Sequence, residues 1–527
     1  MSQLQRIDYA AMTPLLVVSV AALGVLVIDL FLPLAQRALA GWIAVGGALT
    51  ALISILAVGP GERGTFCTPP TTLRGGMRVG ESCSYVVDHF TVLFGVIFCL
   101  AAVVVLLLSV APVAQDRLPA GEYAFLILCS LAGMLTLAGA RDLVTIVVAL
   151  EVLTLPLYVL VGLRRADPRS AEAAVKFFLI SVLSAAVTLY GASLIYGLTG
   201  SLHLDRIALA LARRDDLRDL PLTAAAVLLV VVGFAFKVSA VPFHWWAPDT
   251  YQGAPVPVAA FLSTASKTAG VAGLLLVLLV GFRPYADVWG PVLAVLAALT
   301  MTLGNLVALR QRQIVRLLAW SSVAQAGYIL LPLGVAATST GRSEAVLRTA
   351  STASLTYLTL YVAMNLGAFA CVAWVTQRTP RNALEDYRGL FRRSPLVAVA
   401  LTFFLLCLAG LPPGFAGLFA KVVVFRSALV GDATVLALIM AANTVIGLYY
   451  YLKVATSLFA VAGSAVAGSD AAGSGAAASG AADPLARPAP SSAQPLAVAI
   501  GLAVIATVAL GFAPQVVIDL GELAWVP

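Results

Sequence analysis

Five lysines are the residues of this sequence most able to carry chemistry, because each lies inside or at the edge of a long apolar segment. They are Lys176, Lys237, Lys267, Lys421 and Lys453, whereas the arginines lie mostly between such segments. A charge at the centre of a bilayer costs at least about 2.5 kcal/mol, so it is rarely found there without a role. A buried lysine can release its proton, whereas arginine stays charged. This distribution predicts proton transfer inside a membrane.

Glu151 is an acid in the middle of an apolar stretch, with no other charged residue between Asp142 and Arg164. A carboxylate buried there must be neutralised or must find a cation. We predict that it pairs with Lys237, because the titrations of such a pair are coupled and form a switch. A static ion pair that only holds two helices together is the alternative.

Lys267 lies near the centre of its apolar segment, with Ser263 and Thr264 four and three residues before it. Residues at these spacings share one face of a helix. Hydroxyl groups around a lysine at this depth predict water and a proton relay. The alternative is a polar contact between helices, in which small hydroxyl residues are common.

Lys421 and His244 extend this set in two directions. Lys421 follows Pro412 and Pro413 and is the counterpart of Lys237, so we predict that it is the last proton station. The imidazole of His244 suits proton shuttling near neutral pH. Its neighbours Trp245 and Trp246 are equally typical of a residue in the headgroup belt.

Lys176 and Lys453 are weaker candidates because they lie close to the ends of their segments. Lys176 is four residues after Glu172, and an ion pair within one helix together with snorkelling explains its position. Lys453 follows Tyr449 and Tyr450 near the end of a segment. Both lysines are predicted either to take part in the relay or to anchor their helices at the interface.

The elements that position these residues are membrane helices. Of the 527 residues 61% are hydrophobic and 11% are charged, which excludes a soluble globular protein. Runs of about 20 apolar residues, the length that a span needs, predict an all-α polytopic protein with about 14 transmembrane helices: 13–33, 38–59, 89–112, 121–140, 142–163, 173–198, 222–247, 255–281, 286–309, 313–336, 350–376, 395–428, 432–460 and 494–514.

Proline interrupts two of these spans, the seventh at Pro242 and the twelfth at Pro412 and Pro413. Proline removes a backbone donor and breaks a helix, and broken helices in corresponding halves indicate an inverted-repeat transporter. We predict two inverted five-helix repeats, helices 4–8 and 9–13, with helices 7 and 12 broken. The corresponding domains are 1–120 with a loop at 60–88, 121–281, 286–460, a flexible Ala/Gly/Ser-rich loop at 461–493, and a last helix in 494–527.

The remaining features narrow the function class. Cys67 and Cys83 share the loop 60–88 and predict a disulfide if that loop faces an oxidising compartment, with free thiols as the alternative.

The basic residues behind the net charge of +7 are scattered singly between the helices, so no nucleic-acid partner is expected. No phosphate-binding GxxxxGK[ST] loop, dinucleotide fingerprint or metal-ligand cluster is present. The two sides carry nearly equal numbers of arginines, so the charge count does not assign an orientation.

Several blocks resemble the antiporter-like membrane subunits of respiratory complex I, most closely those of the subunit N type. The blocks are FKVSAVPFHWWAPDTYQGAPVPVAAFLSTASKTAG, ALEVLTLPLYVLVGLRR, GNLVALRQRQIVRLLAWSSVAQAGY and LAGLPPGFAGLFAKVVVF. The sequence PDTYQGAPVPVAAFLSTASK separates it from the L and M types, and the lysine at 421 separates it from the M type. The loops 60–88 and 461–493 depart from the family pattern.

The resemblance implies a proton-translocating subunit of an NADH-quinone oxidoreductase in a bacterial cell membrane. By this resemblance Glu151 and Lys237 are the charged pair, Lys267 the central carrier, Lys421 the exit station and His244 the link from the cytoplasmic side. It implies membrane partners of the A, H, J, K, L and M types, surrounding lipid, and termini outside the cytoplasm. It also implies no cofactor in this chain, since NADH, FMN, iron–sulfur clusters and quinone belong to other subunits. The rivals are an Mrp-type cation/proton antiporter subunit and a scaffold whose charges only join helices.

Overall fold

The computed structural model describes residues 7–33, 36–72, 76–115, 118–164, 167–379, 381–460 and 493–525. The predicted loop 461–493 lies outside the described residues apart from residue 493. Twelve helices in the described parts are long and apolar enough to cross a membrane, which confirms the predicted all-α membrane architecture. The count of about 14 spans stays a prediction, because two of the expected spans are pairs of shorter helices.

The first half of the chain consists of antiparallel helices joined by short connections. Its helices are α1 Tyr9–Phe31, α2 Ala38–Val58, α3 His89–Gln115, α4 Ala120–Gly139, α5 Leu143–Val161, α6 Pro168–Thr199, α7 Leu204–Arg213, α8 Asp215–Arg218, α9 Pro221–Lys237, α10 Trp246–Gly253, α11 Val256–Phe261 and α12 Lys267–Leu276. A π-helical turn, Leu262–Ser266, joins α11 to α12 within one continuous span.

The second half repeats this pattern of long spans with one interruption. Its helices are α13 Ala286–Ala308, α14 Ile314–Gly334, α15 Glu344–Thr376, α16 Leu390–Arg393, α17 Pro395–Ala409, α18 Phe415–Val430, α19 Thr434–Ser457, α20 Ala493–Phe512 and α21 Pro514–Leu523. The short helix α21 was not predicted. The grouping of these helices into the predicted domains stays a prediction.

Both predicted helix breaks are confirmed. The seventh span stops at Lys237 and resumes at Trp246, and the twelfth stops at Ala409 and resumes at Phe415. Each gap contains a cis proline bond, Val241–Pro242 or Pro412–Pro413. Irregular backbone at this depth is tolerated where protein surrounds it, since its polar groups then have partners. The backbone N–H of Val241, for example, donates to Thr300 Oγ1 at 2.9 Å.

The loop 60–88 forms two small antiparallel hairpins that the sequence analysis did not predict. Strand β1, Arg63–Thr68, pairs with β4, Ser82–Val87, while β2, Thr71–Thr72, pairs with β3, Arg78–Val79. Cys67 lies opposite Cys83 in this register, and the two sulfurs form a disulfide. The pairing of β1 with β4 therefore brings together two cysteines that are sixteen residues apart.

The hairpins define one face of the molecule, which we call the hairpin face. The amphipathic helix α7 lies on it and packs against residues 277–285. Three polar contacts continue along this face: Arg206 with the carbonyl of Gly80, Arg283 with Glu344, and Arg348 with the carbonyl of Glu522. The start of α1 and the helix α21 therefore lie on the same face.

Helices α13 and α14 pack along a seam of small residues. A Cβ atom added at Gly304 would lie 2.5 Å from the backbone nitrogen of Ala324, and one at Gly327 would lie 2.6 Å from that of Met301. Close backbone approach of this kind drives helix association in a membrane, where lipid is as apolar as the side chains. The seam fixes α14, which carries several residues of the candidate site.

We expect Gly304→Leu to prevent stable folding, because α13 and α14 would have to separate. Overpacking costs about 1–3 kcal/mol even where side chains can adjust, and here the obstacle is backbone. The amount of the chain in isolated membranes, measured by immunoblot, should fall several-fold. Gly46→Leu is the matched control, since a Cβ atom at Gly46 meets nothing within 4 Å. Equal amounts of both variants would contradict the role of the seam.

Candidate functional site

Three of the five lysines are buried in the interior of the helix bundle. The exposed fraction is 6% for Lys237, 1% for Lys267 and 8% for Lys421. Within the described residues, none of the three ammonium groups has a carboxylate oxygen within 4.0 Å. Each of them instead donates a hydrogen bond to a neutral oxygen. The three ammonium groups are therefore fixed in position but are not fixed in ion pairs.

Lys237 is the last residue of α9, directly before the first helix break. Its ammonium donates to Thr154 Oγ1 on α5. The negative end of the α9 dipole favours a cation at this position. On its other side the lysine packs against α12, where a Cβ atom at Gly270 would lie 2.9 Å from Lys237 Cγ. The glycine therefore makes room for the lysine beside the helix that carries Lys267.

Glu151 lies half-buried on α5, three residues before Thr154, and has no ion pair with Lys237. The two residues instead line one small cavity of about 20 Å³, together with Ser181, Ser184 and Thr188. A cavity of this volume holds about one water molecule, and water-mediated contact is nearly as favourable as a direct hydrogen bond. The structure thus places the predicted pair around one cavity without bringing the two charges into contact.

Lys267 begins α12 directly after the π-helical turn. Its ammonium donates to the carbonyl oxygen of Ser322 at 2.7 Å and to Ser322 Oγ at 2.6 Å. Ser263 and Thr264, the predicted hydroxyl neighbours, both donate to the carbonyl of Ala260 in their own helix. The predicted proton relay around Lys267 stays a prediction, and the acceptors of its ammonium come from α14. Single π turns are frequent at functional sites.

Side chains of α14 and α15 form two hydrogen-bonded rungs beyond Lys267. In the first rung, Tyr361 OH donates to Ser322 Oγ at 2.8 Å. In the second, one helical turn further, Tyr357 OH donates to Gln325 Oε1. Gln325 Nε2 in turn donates to Tyr451 OH at 3.2 Å. We call Ser322, Tyr361, Gln325, Tyr357 and Tyr451 the polar ladder.

Lys421 lies at the far end of this ladder, beside the second helix break. Its ammonium donates to the carbonyl of Ala409, the last residue of α17, at 2.5 Å, and lies 5.6 Å from the ring centroid of Tyr328. The rings of Tyr328 and Tyr357 are 5.9 Å apart. Gly410 has φ +83° and leaves no space for a Cβ atom, which would lie 2.8 Å from Lys421 Cδ. The ammonium of Lys421, a residue of α18, therefore lies at the C-terminal end of the half-helix α17. Lys237 is likewise at a C-terminal end, that of its own helix α9, and the helix dipole favours a cation at both places.

His244 lies between the two halves of the first broken span and is completely buried. Neither ring nitrogen has a hydrogen-bond partner among the described residues. Its ring is 4.7 Å from that of Trp245 and 5.2 Å from that of Trp320 on α14. A residue of the headgroup belt is exposed, as Trp245 is at 67%, whereas the side chain of His244 is fully buried.

Lys176 and Lys453 lie away from the three buried lysines. Lys176 is on the face opposite the hairpins, where it pairs with Glu172 at 2.6 Å and with Asp249 at 3.2 Å. Arg316 also pairs with Asp249, at 2.8 Å. Lys453 is exposed near the end of α19. The predicted i,i+4 pair of Lys176 is thus present in the structure, and neither side chain enters the interior.

The disulfide region on the hairpin face contains a separate polar cluster. Within the described residues, Cys67, Glu81 and Cys83 form the one group whose ligand atoms are close enough for a metal ion, and both of its sulfurs belong to the disulfide. His203 Nε2 lies 3.2 Å from Thr68 Oγ1. Burial lowers the pKa of His203, an effect that Asp142 opposes. This cluster ties α7 to the hairpins on the hairpin face.

The polar ladder was not predicted from the sequence. Its α14 members, Ser322 and Gln325, lie in WSSVAQAGY, where they and Tyr328 recur every three residues within an otherwise apolar span. Residues at this spacing share one helix face. Because buried polar groups in a membrane helix are expensive and functional by default, this spacing is a signal in the sequence that indicates the site.

Comparison with known proteins places the chain among respiratory and antiporter membrane subunits. The model of a family described as NADH:quinone oxidoreductase/Mrp antiporter, TM, matches residues 140–447. NADH-quinone oxidoreductase subunit N 2 of Streptomyces griseus is 50% identical over 465 residues, which is 87% of this chain and 84% of the relative. Subunit N of Salinispora tropica is 48% identical over 527 residues, 99% of both chains.

Solved structures give the same fold. A chain of respiratory complex I from Thermus thermophilus matches with a TM-score of 0.72 and 31% identity, covering 96% of this chain and 98% of that chain. A chain of the Mrp complex from a Dietzia species matches with a TM-score of 0.77 and 22% identity, covering 98% and 97%. At that lower identity the likeness concerns the fold alone.

Proposed function

This chain belongs to the family of membrane subunits that NADH:quinone oxidoreductase shares with Mrp antiporters, and from that premise we propose that it translocates protons as a subunit of an NADH:quinone oxidoreductase. The relatives named subunit N cover nearly the whole chain, which supports the oxidoreductase side of the family. We place it in a bacterial cell membrane, in a complex with other membrane subunits.

One observation carries the proposal at the level of residues: three buried lysines donate to neutral oxygens and have no carboxylate within 4.0 Å among the described residues. A fixed ion pair would hold each proton in place. A buried ammonium without an anion is costly, so loss of its proton relieves that cost, and a carboxylate or water that approaches restores the charged form. Such a group changes its protonation with small changes around it.

We propose that protons move along Glu151, Lys237, Lys267 and Lys421. A water in the cavity between Glu151 and Lys237 would carry the proton or charge shift from α5 to α9. Lys237 then acts on Lys267 through the contact of α9 with α12. His244 supplies protons from the face opposite the hairpins, and Lys421 releases them through the second helix break. Lys176 and Lys453 serve as surface anchors in this scheme.

The remaining parts of the proposal concern surroundings. We infer that both termini and the disulfide hairpin face the oxidising, extracytoplasmic side. Partner subunits of the A, H, J, K, L and M types would hold NADH, FMN, iron–sulfur clusters and quinone, and this chain would bind none of these. The rival function, an Mrp-type cation/proton antiporter subunit, is separated from this one by whether redox subunits co-purify with the chain.

The decisive experiment compares Glu151→Gln and Lys237→Met with the surface control Lys453→Met in assembled complexes. NADH-driven acidification of inverted membrane vesicles and NADH oxidation are measured together. Loss of a proton-transfer group costs about 10²–10⁴-fold in rate, so we expect at least about a tenfold fall in pumping for the first two variants and none for the control. Unchanged pumping in all three assembled variants would favour the scaffold reading.

A further inference from the structure

A groove of about 810 Å³ runs along the outside of the bundle between α15, α17 and α20. It begins at Ser394 and Phe459, on the face opposite the hairpins, and ends near Pro413 and Val508 in the interior of the spans. Its lining is almost entirely apolar. We propose that this groove is a specific site for an anionic phospholipid, with one acyl chain in the groove and the phosphate at the arginines of its mouth.

The length of the groove matches one acyl chain of a single leaflet. On α20 it extends from Ala497 to Val508, which at 1.5 Å per residue is about 16 Å. The hydrocarbon core of a bilayer is about 30 Å thick, so the groove spans about half of it. Its Ser394 end lies next to the basic segment between α15 and α17, so a lipid of the leaflet on that face would place its headgroup beside these arginines.

Charge at the mouth selects an anionic headgroup. The segment between α15 and α17 contains five arginines against two acids, Glu385 and Asp386; the arginines are Arg378, Arg381, Arg388, Arg392 and Arg393. In the described parts of the chain none of these arginines has a carboxylate oxygen within 4.0 Å. Arg392 is exposed two residues before Ser394, which lines the groove. Basic clusters next to clefts between membrane helices attract anionic lipid, by about 1 kcal/mol per arginine.

Trp374 joins the apolar groove to its basic mouth. Its side chain lines the groove, and the guanidinium of Arg378 lies 5.0 Å from the centroid of its ring. The indole Nε1 is buried and has no acceptor among the described residues. Tryptophan is enriched at the headgroup level, where its ring is in hydrocarbon and its N–H meets polar groups. A phosphate or ester oxygen at the mouth would supply the missing acceptor.

The test uses photoreactive lipids on the whole complex reconstituted in liposomes. One probe is phosphatidylglycerol with a diazirine at the end of one acyl chain, and the second is phosphatidylcholine with the same chain. After illumination, labelled peptides are identified by mass spectrometry. We expect label on peptides of α17 and α20 near Leu406 and Val508, with phosphatidylglycerol exceeding phosphatidylcholine at least about fivefold because of the basic mouth.

Two variants separate the headgroup from the acyl chain. Combining Arg392→Gln with Arg393→Gln should lower phosphatidylglycerol labelling to the level of phosphatidylcholine, whereas Arg310→Gln, an exposed arginine outside the groove on the same face, should not. Gly501→Leu should block both probes, since Gly501 lines the groove and a Cβ atom there meets nothing within 4 Å.

The proposal is overturned by either of two results. Equal labelling by both lipids would mean ordinary contact with the bilayer. Absence of label from both would mean that a helix of a neighbouring subunit covers the groove. Neither result bears on proton translocation, which rests on residues that do not line the groove.

Discussion

Lys267→Met is expected to abolish NADH-driven proton pumping while the complex still assembles. Lys267 is 1% exposed and its ammonium is held by two oxygens of Ser322, and we propose it as the central proton acceptor between the two helix breaks. Methionine keeps the length and apolar stem of lysine and is tolerated in irregular cores. The loss of pumping in this variant therefore reports on the titratable ammonium group. We expect pumping to fall at least about tenfold, in line with removal of an acid–base group.

Lys267→Arg distinguishes proton exchange from fixed charge. Arginine keeps a cation at the site and does not release its proton in proteins. If Lys267 only supplies positive charge to hold α12 against α14, the arginine variant should pump nearly as well as the parent. If Lys267 exchanges protons, both variants should fail. Acidification of inverted vesicles, normalised to NADH oxidation and to the amount of assembled complex, measures the difference.

The sequence was sufficient to predict the elements that hold the site. Apolar runs predicted the spans, and Pro242 and Pro412 predicted the two breaks, because proline acts locally on its own helix. The burial of Lys237, Lys267 and Lys421 also followed from their positions within these runs. Each of these inferences depends on residues that are close together in the chain, which is why one sequence was enough.

The contacts across helices were not predictable in the same way. Glu151 and Lys237 were expected to form an ion pair, yet they line a cavity and Lys237 donates to Thr154. The hydroxyls predicted near Lys267 were those of its own helix, and the contact of Lys267 with Ser322 on α14 was not predicted. Which residue of α14 faces α12 depends on the rotation and crossing of two helices, and the seam at Gly304 fixes that packing. A lysine in a span indicates chemistry, but its partner is decided by packing.

The polar ladder leads to the second large expected effect, for Gln325→Leu. Gln325 accepts from Tyr357 and donates to Tyr451, so its side chain joins two tyrosines of the second rung. Leucine removes both bonds and leaves two buried hydroxyls without that partner, at about 1–3 kcal/mol each. If protons pass from Lys267 to Lys421 through the second rung, we expect pumping to fall about tenfold or more, because the variant removes the hydrogen bonds of that rung.

The measurement must distinguish a loss of proton transfer through the ladder from a loss of protein stability in Gln325→Leu. Gln311→Leu is the matched control, since Gln311 is half-buried and donates only to the carbonyl of Val307 in the preceding helix. Pumping per NADH oxidised, measured in H2O and in D2O, should fall and lose its solvent isotope effect in Gln325→Leu but not in the control.

If Gln325→Leu assembles and pumps like the parent, the ladder is structural and protons reach Lys421 by another route. The cavity at Glu151 and Lys237 would still provide room for water beside these two charged groups. Ser322 and Tyr328 are six residues apart on α14, about 9 Å along the helix, so protons that cross this distance need either the polar side chains of the ladder or water between them. Gln325→Leu discriminates between these two mechanisms because it removes the hydrogen bonds of the second rung.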